Sequence, residues 1–160
     1  MTDSNILINL AHISRLDLLG KLPPFSFVVP EEVIKEITDQ GQAGPVQEAI
    51  ASAVLQEVQL SSIAELQIYA RLVRTLGSGE AACLALAECR NWLIASDERK
   101  SFYREAVVRL GQKRILNTAG ILLTAIRLGV LSVEEADQAK VFLQQRRFIM
   151  KFDSFRDLLK

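Results

Sequence analysis

The sequence predicts an α/β fold in which a parallel sheet is covered by helices on both faces. Short apolar runs bounded by Gly, Pro or polar residues recur along the chain, at 25–29 and 92–96 among others. Segments with helical spacing separate them, in the order β-α-β-α. The connections are short, which together with that alternation favours parallel strands joined by helical crossovers. The 160 residues are 49% hydrophobic and 24% charged, enough for one domain (1–160) with a sizeable core.

The chain opens with Asp3-Ser4-Asn5 directly before Ile6-Leu7-Ile8. Three small polar side chains at such an edge either cap a helix or hold a metal ion. Residues 25–29 are rich in aromatic and β-branched types and end at Pro30, which marks a buried strand. Pro30 then opens a helix with Glu31 and Glu32 in its positive first turn. Residues 40–45, with two glycines and Pro45, read as a polar loop. A second strand is expected at 57–60 and a helix at 63–76. Gly77-Ser78-Gly79 interrupts the chain before a helix over 80–89. The strand at 92–96 runs into Asp97, and a helix over 99–110 follows. A short strand at 114–116 and helices at 119–128 and 133–145, separated by Gly129, complete the pattern.

Net charge is zero, from 19 basic and 19 acidic residues, so nucleic acid or membrane binding would need a local patch. Cys83 and Cys89 would fall roughly 240° apart on a helix and suit neither a disulfide nor a zinc site. A reduced, cytoplasmic protein is the natural expectation. His12 is the single histidine, which excludes multi-His metal sites, and its ordinary reading is a packing residue. There is no signal-peptide pattern, and the longest apolar runs stop far short of the ~20 residues that cross a bilayer.

Four acids fall where strands end or helices begin: Asp3, Glu36, Glu80 and Asp97. Singly, each has an ordinary role as a cap, a first-turn acid or a solvated helix face. Together at one sheet edge they would repel one another, which a fold tolerates mainly where a cation neutralises them. Function in parallel sheets also collects at the carboxyl ends of the strands. Carboxylates without His or Cys suit Mg²⁺ or Mn²⁺, ions that activate water and stabilise charge on a phosphate.

In order and spacing, Asp3-Ser4-Asn5-Ile6-Leu7, the Pro30-Glu31-Glu32-Val33 helix ending at Glu36, Gly79-Glu80-Ala81 and Ile94-Ala95-Ser96-Asp97 resemble the PIN-domain family. Leu7-Ile8-Asn9-Leu10 and Arg15-Leu16-Asp17-Leu18-Leu19 resemble a subgroup of small prokaryotic PIN proteins. The resemblance covers residues 1 to about 130. It implies a three-layer α/β/α fold and metal-dependent RNA cleavage. Asp3, Glu36, Glu80 and Asp97 would be the catalytic acids, with Asp3, Glu80 and Asp97 as metal ligands. Ser4 or Asn5 would cap the first helix and bond the carboxylates or a water, and Glu98 would supply an auxiliary acid. Many relatives are toxins of VapBC-type toxin–antitoxin pairs, inhibited by a small partner protein. Two departures stand out: only Met1 and Thr2 precede Asp3, and Asn117-Thr118 occupies a position where relatives often carry an acid. A PIN-fold module binding nucleic acid or protein without useful catalysis is the alternative.

Segment 97–114 carries six basic residues against three acids. Arg99, Lys100 and Arg104 would hold RNA phosphates, with Phe102 or Tyr103 available to stack a base. A second cluster, Arg146-Arg147 with Lys151, lies among Phe148, Ile149, Met150, Phe152 and Phe155. Residues 146–160 therefore read as a docking segment, onto this domain, a second copy or an antitoxin.

Overall fold

A computed structural model describes residues 1–23 and 25–159. Strand β1 (Val28–Pro30) pairs in parallel with β2 (Gln56–Val58), Val29 lying opposite Glu57. Strand β3 (Ile94–Ala95) pairs in parallel with β4 (Ile115–Leu116). Thr2 joins the two pairs. Its N–H donates to Val28 O at 2.8 Å, and it forms a parallel bridge with Ala95. Asp3 N–H donates to Ala95 O (3.0 Å), and Ala95 N–H to Met1 O (2.7 Å). The order is therefore β2-β1-Thr2-β3-β4, with the backbone of residues 1–3 as its short central member.

The strands are shorter than the apolar runs because neighbouring residues spend their backbone groups elsewhere. Phe25 N–H closes a turn onto Leu22 O (2.9 Å), and Trp92 N–H bonds Ala87 O (3.0 Å) at the end of a helix.

Helix α1 (Ser4–His12) follows Asp3 directly and buries Ile6, Leu7 and Leu10. Helix α2 (Glu31–Glu36) starts at Pro30, as its sequence dictates. The expected loop at 40–45 is instead the first half of α3 (Gln40–Ala51). Neither Gly41 nor Gly44 takes a positive φ, and Pro45 sits inside the helix at the loss of one backbone bond. Packing of α3 on α1, through buried Val46 and Ala49, overrides those local preferences.

After α4 (Ile63–Leu72), helix α5 (Ser78–Cys89) begins at the Gly77 break. Gly79 and every residue from Ala81 to Ala87 are buried, as expected of a helix apolar on all sides. It touches β1, β3, α2, α4 and α6 (Ser101–Leu110), so it lies across the sheet. Helix α1 contacts α2, α3 and α7 (Thr118–Arg127), and α7 contacts α8 (Val133–Gln145). The result is the expected layering of helix, parallel sheet and helix. Cys83 is buried and Cys89 exposed on α5, and both are free.

Beyond α8 the chain folds back onto its own domain. Asp137 accepts from Ser154 Oγ (2.6 Å) and Phe155 N–H (2.9 Å), and Phe155 is fully buried against Phe152. Among the described residues no helix is long and apolar enough to cross a membrane.

Candidate active site

The topology brings Asp3, the start of α5 and the residues after β3 to the carboxyl edge of the sheet. Asp3 ends the central strand and caps α1, and it is 1% exposed. Its Oδ1 accepts from Ser4 N–H at 2.8 Å and its Oδ2 from Ser96 Oγ at 3.0 Å. Burial pushes its carboxyl up to about 6, and the charges of Glu80 and Glu98 push the same way, against the two donors. Capping of α1 thus falls to Asp3 itself, not to Ser4 or Asn5. Asn5 instead donates to Glu98 Oε1 at 2.5 Å, and Ser4 Oγ lies 3.5 Å from Asp3 Oδ1.

Glu80 stands in the first turn of α5, where Gly77 N–H donates to its Oε2 at 3.0 Å. Partial burial raises its carboxyl, followed by repulsion from Glu98 and Glu36. Glu36, at the end of α2, is exposed and accepts from Gly79 N–H at 2.6 Å. A Cβ on Gly77 would sit 3.6 Å from Glu80 Oε2 and 4.0 Å from Glu36 Oε1, so both carboxylates flank this one glycine. A Cβ on Gly79 would lie 2.6 Å from Glu36 Oε2 and 2.9 Å from Val33 Cγ2. Only glycine leaves Glu36 room to reach the backbone.

Asp97 is differently placed. It lies between Ser96 and Glu98, but its carboxylate is committed to α7 and α1. Its Oδ1 accepts from Thr118 N–H (3.0 Å), and its Oδ2 from Asn9 Nδ2 (3.0 Å) and Thr118 Oγ1. Burial raises its carboxyl despite these donors and the Arg99 charge. Thr118, at the position where an acid was expected, is thus a donor to Asp97. The sequence reading missed Ser96 and Asn9. Asn9 had left a signal in the sequence, a polar residue inside the apolar run 6–10, and the structure buries it to 8% exposure.

The acids that influence one another are therefore Asp3, Glu80, Glu98 and Glu36, with Asp97 beside them on its own donors. Glu80 Oε1, Glu98 Oε2 and Glu36 Oε2 accept no hydrogen bond from the described residues. In donor type and charge the set fits a hard divalent cation. Among the described residues no three His, Cys, Asp or Glu side chains converge closely enough to hold one ion.

Of the predicted cations, Arg99 lines clefts on both sides of the Asp97–Glu98 turn. Lys100 and Arg104 are exposed and line neither, and Arg99 and Lys100 precede α6 instead of forming its first turn. Phe102 is a core residue at 1% exposure, which removes it as a stacking surface, whereas Tyr103 faces a cleft with Asp97. His12 ends α1, its Nε2 3.2 Å from Gln42 Nε2.

The full chain, residues 1–160, matches the sequence model of the DUF3368 family, a PIN domain. No curated protein and no solved structure matches it.

Proposed function

The chain belongs to the PIN-domain family, and on that premise we propose that it is a metal-dependent ribonuclease hydrolysing RNA phosphodiester bonds. PIN domains are generally nucleases that use divalent metals. One observation carries the finer reading. Asp3 is almost wholly buried at the strand ends, its carboxyl raised to about 6, with Glu80 and Glu98 adding repulsion. Such an arrangement is costly unless a cation neutralises it.

Asp3, Glu80 and Asp97 would hold Mg²⁺ or Mn²⁺, with Glu36 and Glu98 alongside. A divalent ion held there would supply activation of water and stabilisation of charge on the phosphate. The chain's own residues do the positioning. Ser4 and Ser96 fix Asp3, Thr118 and Asn9 fix Asp97, and Asn5 fixes Glu98. The N–H groups of Gly77 and Gly79 hold Glu80 and Glu36. Arg99, which lines the clefts beside Asp97 and Glu98, would neutralise a phosphate next to the one being cut. On the same reading the protein is the toxin of a toxin–antitoxin pair, held in check by a small antitoxin.

A second reading is a PIN-fold module that binds RNA or protein without useful catalysis. It is favoured by Thr118 in place of an acid and by the lack of three converging ligands among the described residues. One assay separates the two. Mixed RNAs are incubated with Mn²⁺, Mg²⁺ or EDTA, wild type beside Asp97→Asn. Metal-dependent cutting that disappears in the variant supports the nuclease. Binding without cutting, after removal of any copurifying partner, supports the module.

A further inference from the structure

A cleft of about 550 Å³ opens past the carboxyl ends of β3 and β4, between the Asp97–Glu98 turn and α6. Tyr103 and Ile115 give it apolar surface, and Gln112 and Asn117 bring two side-chain amides to it. Neither the Tyr103 hydroxyl nor the Gln112 amide bonds a described residue. An aromatic ring and uncommitted hydrogen-bonding groups thus share one cavity with two of the site's acids. A flat ring with polar edges suits such a lining, the ring against the tyrosine and the edges against the amides.

The amide of Asn117 is held in one orientation. It caps α7, its Oδ1 accepting from Gly120 N–H at 2.8 Å. An N–H donates to that atom, so it has to be the oxygen, and the free end of the side chain is Nδ2, a pure donor. Gly120 keeps this arrangement in place. A Cβ there would meet Asn117 Oδ1 at 3.3 Å and Leu116 Cδ1 at 2.7 Å. Gln112, by contrast, is exposed and bonds nothing described, so its amide can turn to suit either a donor or an acceptor.

We propose that this cleft is a nucleobase subsite and that Asn117 sets its preference, for a keto base (guanine or uracil) over adenine. The inference rests on the ribonuclease reading and adds a specificity-determining residue to it. Tyr103 would stack on the base, which by itself selects nothing because every base has a π-face. Guanine O6 and N7, or uracil O4, would accept from Asn117 Nδ2. Asparagine reads adenine by pairing with N6 and N7 together. That pairing needs Oδ1, which Gly120 occupies, and the adenine amino group would oppose Nδ2 donor to donor. Selection therefore falls to the one amide that cannot turn.

The test is fluorescence anisotropy in EDTA with labelled 12-mers of uridine and of adenosine, on wild type, Asn117→Asp and Asn117→Ser. Wild type should bind the uridine strand about three- to tenfold more tightly, the worth of one hydrogen bond between neutral groups. Aspartate caps a helix as well as asparagine does, so Asn117→Asp keeps α7 while turning the free end of the side chain from donor to acceptor. Its uridine-to-adenosine ratio should fall at least about threefold below that of wild type. Comparing one ratio between proteins cancels both the self-stacking of the adenosine strand and the added charge. Asn117→Ser caps but lacks the reach, and its ratio should lie between the other two. With Mn²⁺, the bases flanking the cut sites in a mixed RNA should shift from keto toward amino in Asn117→Asp. The same ratio and the same cut sites in wild type and Asn117→Asp overturn the base assignment, even where wild type cuts RNA. Wild type that binds neither strand and cuts no RNA with either metal overturns the ribonuclease reading as well.

Discussion

Ser96 Oγ donates to Asp3 Oδ2 at 3.0 Å, so the residue directly after β3 holds the carboxylate at the end of the neighbouring central segment. The same hydroxyl accepts from Glu98 N–H at 3.1 Å. One serine thus fixes a buried acid and the turn carrying its neighbours, which makes the acid edge a property of strand register and not of any single loop.

Asp3→Asn should stabilise the metal-free protein at neutral pH. Because the folded carboxyl is raised to about 6, folding favours the protonated form. Its ionisation costs nothing below the unfolded value near 3.8, and the full cost is present above about pH 6. Melting in EDTA should show the variant ahead by on the order of 1–3 kcal/mol at pH 7.5. The difference should shrink as pH falls through that window. A variant less stable at every pH would mean that the cap outweighs the buried charge.

Glu65 carries the opposite sign and serves as a control. Arg90 bonds it at 2.7 Å and holds its carboxyl down at about 2, so its contribution is present above about pH 4.5 and is lost as pH falls toward 2. Glu65→Gln removes the carboxylate from Arg90, which keeps Gln59 O and Ser61 Oγ, and should cost about 2–4 kcal/mol at neutral pH, measured by urea unfolding. No change would show that the pair contributes nothing.

Added Mn²⁺ should raise the melting temperature of wild type, since it binds the folded acids and not the unfolded chain. Glu80→Gln should keep or exceed the metal-free stability while losing most of that rise. An equal Mn²⁺ shift in the variant removes Glu80 from the ligand set.

Thr118→Val deletes the hydroxyl on Asp97 Oδ2 while keeping the side-chain shape. Asp97 should titrate higher still, moving the acid limb of the cleavage profile to higher pH. Thr118→Ser should restore it. Identical profiles for all three proteins would make Thr118 a packing residue only.

Gly79→Ala should cost about 1–3 kcal/mol, because its Cβ would meet Val33 Cγ2 at 2.9 Å in a buried contact and displace Glu36. Chemical denaturation checks this. Full stability with an intact Mn²⁺ shift would show that Glu36 needs no backbone anchor.

The fold was legible where pattern and packing agree. Helix α8 coincides with the expected 133–145, and α5 follows the Gly77 break and its alanine-rich run. Residues 40–45 misled because Gly and Pro report local preference, while burial of Val46 and Ala49 against α1 decided the outcome. The first strand was hard to see because three residues carry no periodicity, and only pairing on both sides identifies them. At the site, the acids could be found from strand ends. Their donors could not, since Asn9, Ser96 and Thr118 approach across long separations that no spacing rule connects. The placement of residues 146–151 depended on where the chain turned after α8. Composition marked them as a docking segment without choosing their neighbour.

Thr2 has a kinetic consequence. Its backbone is the seam between the β1–β2 and β3–β4 pairs, and its two neighbours are 26 and 93 residues away. Closing both contacts carries a loop entropy that nearby helix formation does not repay. Either pair can form while the seam is open, but Asp3 and Ser96 meet only when it shuts. Refolding should therefore recover helical signal before it recovers metal binding, and a chain stalled at the half-sheet stage holds no assembled site.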